Sequence, residues 1–251
     1  MISLKSKREI DIMRESGKIL ASVLSELKSY VKPGLRTVDI DRKAAALIRQ
    51  KGGAPAFKGY RGYPANICTS INEEVVHGIP SERKLEEGDI LSVDVGVQYK
   101  GYFTDAARTW PIGSVSPEIE KLIRVTRASL YEAGIEKMKP GFKLGDLSHA
   151  IQAYVESFGF GVVRDFVGHG IGRAIHEDPQ VPNFGKPGRG IKLEPGLVLA
   201  VEPMVTVGSY EVVILDDAWT VVTQDGKLSS HHEDTIVITD SGPEPITYSE
   251  E

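Results

Sequence analysis

Ile10, Met13, Gly17, Leu20, Leu24, Leu27 and Val31 recur at alternating spacings of three and four, which draws one apolar stripe along a helix. Ser6 followed by Glu9 fits a capping box at its start, and Pro33-Gly34 ends it. A second helix is predicted from position 37 or 38 to Gln50, closed by Gly52-Gly53. A third opens at Ser116-Pro117, an N-cap followed by proline at the first helical position, and runs through Leu122, Ile123 and Leu130 toward Met138. A fourth covers about 144–158. Strand-like stretches at 90–97 and 102–105 flank Lys100-Gly101, a hairpin turn. Further strands are expected at 197–201, at 212–215 with 220–222, and at 235–238. Helices followed by antiparallel strands, twice over, read as α+β rather than a doubly wound sheet.

The repetition can be aligned. Val31-Lys32-Pro33-Gly34-Leu35 returns as Met138-Lys139-Pro140-Gly141-Phe142, at an offset of 107 residues. Continued without gaps, Asp39 meets Asp146, Ile40 meets Leu147, Ala46 meets Ala153 and Gly52 meets Gly159. Downstream, the run from Leu85 to Asp94 lines up with the run from Leu193 to Glu202, at an offset of 108. Two colinear matches at nearly one offset indicate an internal duplication. The expectation is one catalytic domain over 1–251, its halves approximately 5–110 and 115–240, related by a pseudo-twofold axis.

Composition narrows the class. With 251 residues, 41% hydrophobic and 26% charged, the chain can bury a sizeable core. No apolar run approaches the ~20 residues needed to cross a bilayer, and the charged start from Lys5 to Glu9 cannot hold a signal-peptide core. The single cysteine, Cys68, cannot form an internal disulfide, which agrees with a reducing, cytoplasmic setting. A formal net charge of -5 without a basic run argues against nucleic-acid binding.

The duplication places Asp94 and Glu202 at equivalent positions, each at the end of an apolar strand. Two carboxylates brought together across a pseudo-twofold axis repel unless a proton or cation intervenes; taken alone, each reads more readily as a solvated strand-end acid. Asp105 lies across the expected hairpin from Asp94, among Tyr102, Phe103, Ala106 and Ala107. Val167-Gly168-His169-Gly170-Ile171-Gly172 sets a histidine between glycines, where the backbone can turn sharply, and His176-Glu177 follows. Before the last strand, His231-His232-Glu233-Asp234 offers another carboxylate, its two histidines reading as a polar turn. The run from Thr69 to Pro80 puts His77 in a turn, while His149 on a helix reads as structural. Asp94, Asp105, His169, Glu202 and Glu233 thus form a carboxylate-rich set with one imidazole. Two divalent cations would balance its charge, with Mn, Fe, Co or Zn fitting the oxygen-dominated donors. Paired ions of this kind sit roughly 3.5–4 Å apart and activate water for hydrolysis.

These motifs together resemble the type I methionine aminopeptidases. The run Thr69 to Pro80, the Asp94/Asp105 pair, the Gly168 to Gly172 run, Val201-Glu202-Pro203 and His232-Glu233 appear in the family's order, and the likeness extends from the first helix to about residue 240. The resemblance implies the pita-bread fold, an α+β architecture of helices-plus-hairpin halves around a shared antiparallel sheet. It implies that Asp94 chelates one metal, that Asp105 and Glu233 bridge both, and that His169 and Glu202 complete the second. The reaction implied is removal of the initiator methionine from nascent chains whose second residue is small. In it Glu202 shuttles the proton, His77 lies near the leaving nitrogen and His176 stabilises the oxyanion. The methionine pocket implied is Phe57, Tyr60, Tyr63, Cys68, Ile175 and Trp219. Their aromatic and sulfur contacts suit a thioether.

His169 and Glu202 are 33 residues apart, without room for the helical insertion of type II members, and no extension precedes the first helix, as in the minimal bacterial style. The family implies a monomer working near the ribosome, with no membrane or nucleic-acid partner. Two alternatives stay open: an Xaa-Pro peptidase on the same fold, and a metal-free binding protein derived from it.

Overall fold

A computed structural model of the chain describes residues 2–248. Helix α1 (Lys7–Tyr30) starts as the sequence pattern requires. The Ser6 hydroxyl accepts from the Glu9 amide and the Glu9 carboxylate accepts from the Ser6 amide. Helix α2 (Thr37–Gln50) follows, then the short strands β1 (Ala54–Pro55), β2 (Cys68–Ile71) and β3 (Glu74–Val76). A long hairpin comes next, β4 (Ile90–Tyr99) and β5 (Tyr102–Pro111). Lys100 and Gly101 form its turn with φ of 49° and 81°, the left-handed pair that matches the twist of the flanking strands. Helices α3 (Pro117–Ala128) and α4 (Leu144–Ser157) open the second half, followed by β6 (Gly161–Val162), β7 (Gly168–Gly170), β8 (Glu177–Val181), β9 (Val198–Val201) and β10 (Met204–Thr206). The chain closes with β11 (Val212–Ile214), β12 (Val221–Thr223), β13 (Ser229–His231), β14 (Asp234–Thr239) and β15 (Gly242–Pro245).

The helices pack on the sheets in two matching cores. In one, Leu20, Leu24, Leu27, Ile40 and Ile48 meet Val93, Val95, Val97 and Trp110. In the other, Leu130, Met138, Leu147 and Ile151 meet Leu199, Val201, Ile236 and Ile238. The correspondence extends to register. Ala54 opposes Gln98 and Gly161 opposes Thr206, while the isolated bridge Arg36–Lys84 recurs as Lys143–Lys192. The ladder in which Ile90 to Tyr99 opposes Pro111 to Tyr102 returns in two pieces, Val198 to Val201 against Val237 to Asp234 and Met204 to Thr206 against His231 to Ser229. The break falls at Glu202-Pro203, because proline has no amide hydrogen to give to a ladder.

Two features depart from the sequence expectation. The third helix does not run evenly to Met138: α3 ends at Ala128 and the chain continues as a wide π turn (Ser129–Gly134) and a 3-10 turn (Ile135–Lys137). Thr126 and Ser129 turn their hydroxyls back onto the Leu122 and Thr126 carbonyls, in competition with the regular ladder. Asp94 is also not at a strand end, since β4 continues past it to Tyr99. Burial of β4 on both faces hides the alternation that would have marked its full length.

Candidate metal centre

Within the β4–β5 hairpin Asp94 opposes Ala107 and Asp105 opposes Gly96. The two aspartates are therefore diagonal neighbours on one face. Glu233 joins them from the other half: its amide donates to the Ala107 carbonyl at 3.0 Å, and the Ala107 amide donates back at 3.3 Å. Glu202 leaves β9 just before Pro203 and lines the same cavity. His169 sits in β7 opposite Ala200. Its Nδ1 lies 2.9 Å from the Gly170 carbonyl, which turns Nε2 toward Glu202 Oε1 at 3.7 Å. The ligand atoms of Asp105, His169 and Glu233 all lie within 4.8 Å of one another, as do those of Glu202, His231 and Glu233.

All five sequence-selected donors are buried. Asp94 Oδ1, Asp105 Oδ1 and Glu233 Oε1 have no hydrogen-bond partner among the described residues. Leaving such atoms bare inside a protein is costly. Burial pushes the Asp105 carboxyl up to about 7. Burial, reinforced by repulsion from neighbouring carboxylates, raises Asp94, Glu202 and Glu233 well above the usual range. A divalent cation removes both penalties at once, because it takes up the bare oxygens and favours their charged form. The donors fit that role: hard oxygens with one imidazole.

The structure overturns the reading of His231-His232 as a polar turn. Both are buried, and His231 Nε2 stands 3.5 Å from Glu202 Oε2. The sequence concealed this because the strand pairing β13–β10 that carries His231 inward joins residues distant along the chain.

Beside the carboxylates is a cavity of about 190 Å³. Phe57, Tyr60, Tyr63, Cys68 and Trp219 line it, along with His77 and His176. Ile175 does not. It is buried in the apolar cluster behind that wall, with Phe57, Tyr63 and Cys68. Gly96 makes room for the wall, since a Cβ there would fall 2.5 Å from the Phe57 ring. Phe166 and Arg61, which the sequence motifs do not mark, also line the cavity; the signal available for Phe166 is its place just before the Val167 to Gly172 run.

His77 adopts a left-handed φ of 62°, and its ring meets Phe166 and Trp219 edge-on at 5.6 Å and 6.4 Å. Burial lowers its pKa to about 4. His176 Nδ1 and the Tyr60 hydroxyl are hydrogen-bonded at 2.9 Å. The His176 ring stacks on Tyr60 at 5.1 Å and lies 4.1 Å from the His169 ring. Burial, then the Arg61 charge, lowers its pKa to about 4. Both imidazoles are neutral at neutral pH and can each donate one N–H. His149, read as structural, is an exposed helix residue.

The site can thus hold divalent metal between acidic side chains, beside an apolar cavity flanked by two neutral imidazoles. Comparison with known proteins agrees. Residues 11–240 match the model of metallopeptidase family M24. Over 251 residues the chain is 57% identical to the methionine aminopeptidase of Clostridium acetobutylicum, with 100% of both chains covered. The crystal structure of methionine aminopeptidase from Thermotoga maritima superimposes with a TM-score of 0.97 at 47% identity, covering 99% of this chain and 100% of that one. An Xaa-Pro dipeptidase from Bacillus anthracis shares the fold with a TM-score of 0.80, but at 25% identity and with only 62% of its own length covered. The chain belongs to metallopeptidase family M24 and, within it, to the methionine aminopeptidases.

Proposed function

We propose that this chain removes the N-terminal methionine from nascent polypeptides whose second residue is small, using two divalent ions. The observation that carries this reading is the convergence of bare, buried carboxylate oxygens on the wall of an apolar, aromatic cavity. Asp94, Asp105, His169, Glu202 and Glu233 would hold the metal. Bound there, divalent cations supply Lewis acidity toward the peptide carbonyl and lower the pKa of water.

The chain's own residues do the rest. Phe57, Tyr60, Tyr63, Cys68 and Trp219 take the methionine side chain, and Ile175 supports them from behind. His176, held by the Tyr60 hydroxyl, presents an N–H to the carbonyl oxygen as negative charge develops on it. His77 stands near the scissile amide and its leaving nitrogen. Glu202 takes a proton from the attacking water and passes it to the leaving amine. Metal identity among Mn, Fe, Co and Zn follows availability as much as affinity.

The enzyme acts in the cytoplasm as a monomer, on chains emerging from the ribosome, without nucleic-acid or membrane contacts of its own. Among the described residues no helix is long and apolar enough to cross a membrane. Apo-protein reloaded with each metal and given Met-Ala-Ser and Gly-Pro peptides tests the reading by mass spectrometry of the products. Release of methionine from the first, only with metal, is expected. Cleavage confined to Gly-Pro would establish the Xaa-Pro alternative, and binding without cleavage under any metal would favour a non-catalytic role.

A further inference from the structure

Arg61 is the single lysine or arginine lining the cavity among the described residues, and no carboxylate among them pairs with it. Its backbone is left-handed, with φ 49° and ψ 23°, a conformation that a non-glycine residue adopts only where its surroundings hold it. The surroundings hold it there. Gly59 and Gly62 on either side have φ of 87° and 90°, the Gly59 amide donates to the Tyr63 carbonyl at 2.8 Å, and the Tyr63 amide donates to Tyr60 at 2.9 Å. Tyr63 is anchored in turn by its hydroxyl, which donates to the Ile67 and Gly78 carbonyls. The loop therefore presents Arg61 in a set position.

That position is one ring away from the reacting groups. The guanidinium lies over the Tyr60 ring at 5.4 Å, Tyr60 stacks on His176 at 5.1 Å, and His176 packs on His169 at 4.1 Å. The order cation, phenol, imidazole, imidazole runs from solvent to the metal-binding carboxylates. A peptide whose first residue fills the cavity must leave past His176 toward this rim. Its third residue then lies about 5 Å beyond the scissile amide, at about 3.5 Å per extended residue.

We propose that Arg61 reads the charge of the substrate one residue beyond the new N-terminus, favouring an acidic over a basic residue at the third position. This rests on the methionine aminopeptidase reading and adds a specificity determinant to it. An exposed ion pair contributes modestly, so attraction to aspartate and repulsion of lysine together amount to about three- to tenfold in kcat/KM. The difference falls mainly in KM, because the contact is made equally before and during the reaction.

The test uses metal-loaded enzyme and the C-terminally amidated peptides Met-Ala-Asp-Ser, Met-Ala-Gln-Ser and Met-Ala-Lys-Ser, at low and high salt. The wild type should rank them Asp, Gln, Lys, with the ratio compressed by salt. Arg61→Lys should keep most of the Asp/Lys ratio, and Arg61→Gln should bring it below about twofold. Arg61→Glu should invert the order, a gain that misfolding cannot produce. An equal ratio in wild type, Arg61→Gln and Arg61→Glu overturns the proposal. If none of the three peptides loses methionine, the aminopeptidase reading itself fails instead.

Discussion

In the N-terminal half β4 runs unbroken from Ile90 to Tyr99, whereas its counterpart is split at Glu202-Pro203 into β9 and β10. The two halves nevertheless meet through the same backbone contacts. The Thr235 hydroxyl accepts from the Asp105 amide and donates to the Asp105 carbonyl, at 2.9 and 2.8 Å. The Thr109 hydroxyl does the same for His231, at 2.9 and 2.7 Å. Between these clasps Ala107 and Glu233 exchange amide hydrogen bonds. By register, then, Asp105 corresponds to His231, Ala107 to Glu233, Asp94 to Glu202 and Arg108 to Asp234. The backbone is nearly symmetric and the side chains are not. Symmetry brings two strand pairs face to face with an acid at the equivalent positions Asp94 and Glu202, and the differences at the other positions decide which further acids join them.

Arg108 and Asp234 show how the asymmetry is stabilised. They are twofold equivalents of opposite charge and pair with each other at 2.9 Å, both buried. Burial is the largest single influence and opposes the Asp234 charge, but the Arg108 guanidinium together with the hydrogen bonds from His232 and Thr247 overcomes it and holds that carboxyl low. Arg108 also donates to the Glu233 carbonyl at 2.6 Å, which ties the pair to the metal-facing segment.

Substitutions at equivalent positions should give unequal results. The largest difference is expected between Asp105→Asn and His231→Gln. The first should cost on the order of a thousandfold in turnover, as a charged donor is lost, and the second less than about tenfold. Equal losses, measured alongside bound metal, would mean that the two positions act alike. Arg108→Met should destabilise the fold by about 3–5 kcal/mol in urea unfolding, because Asp234 is left as an uncompensated buried charge. Adding Asp234→Leu should recover a good part of that loss, and no recovery would refute the pairing argument. His176→Ala should lower kcat by about a hundredfold, the size of one lost oxyanion donor; a loss under about threefold removes that role. Thr235→Val and Thr109→Val should each cost about 1–3 kcal/mol, since each strands two buried backbone groups. Only Thr235→Val should also reduce activity, because it releases Asp105. Smallest is Ser6→Ala, about 1 kcal/mol of stability from the lost cap of α1 with turnover unchanged.

Legibility in the sequence followed locality. The Ser6 to Glu9 box, the Lys100-Gly101 turn, and α2 and α4 at an offset of 107 are written in neighbouring residues. The π turn after α3 is not legible in the sequence because it depends on back-bonding hydroxyls within an apolar pattern that itself continues. Asp94, Asp105, His169, Glu202 and Glu233 could be chosen because their motifs and the repeat mark them. His231 and Arg61 could not, because no short-range pattern distinguishes a buried or rim position from a loop, and Phe166 had only its place beside the Val167 to Gly172 run to mark it.

The sequence by itself determined the helices, the main hairpin, the repeat and the candidate metal donors, since periodicity, turn chemistry and colinear motifs act over short spans. Only the tertiary structure decided which atoms converge. Whether a histidine faces solvent or Glu202, whether a carboxylate oxygen is left bare, and whether Ile175 lines a cavity or backs its wall all depend on pairing between distant strands. That pairing is set by the burial of two helical layers against two nearly equivalent halves.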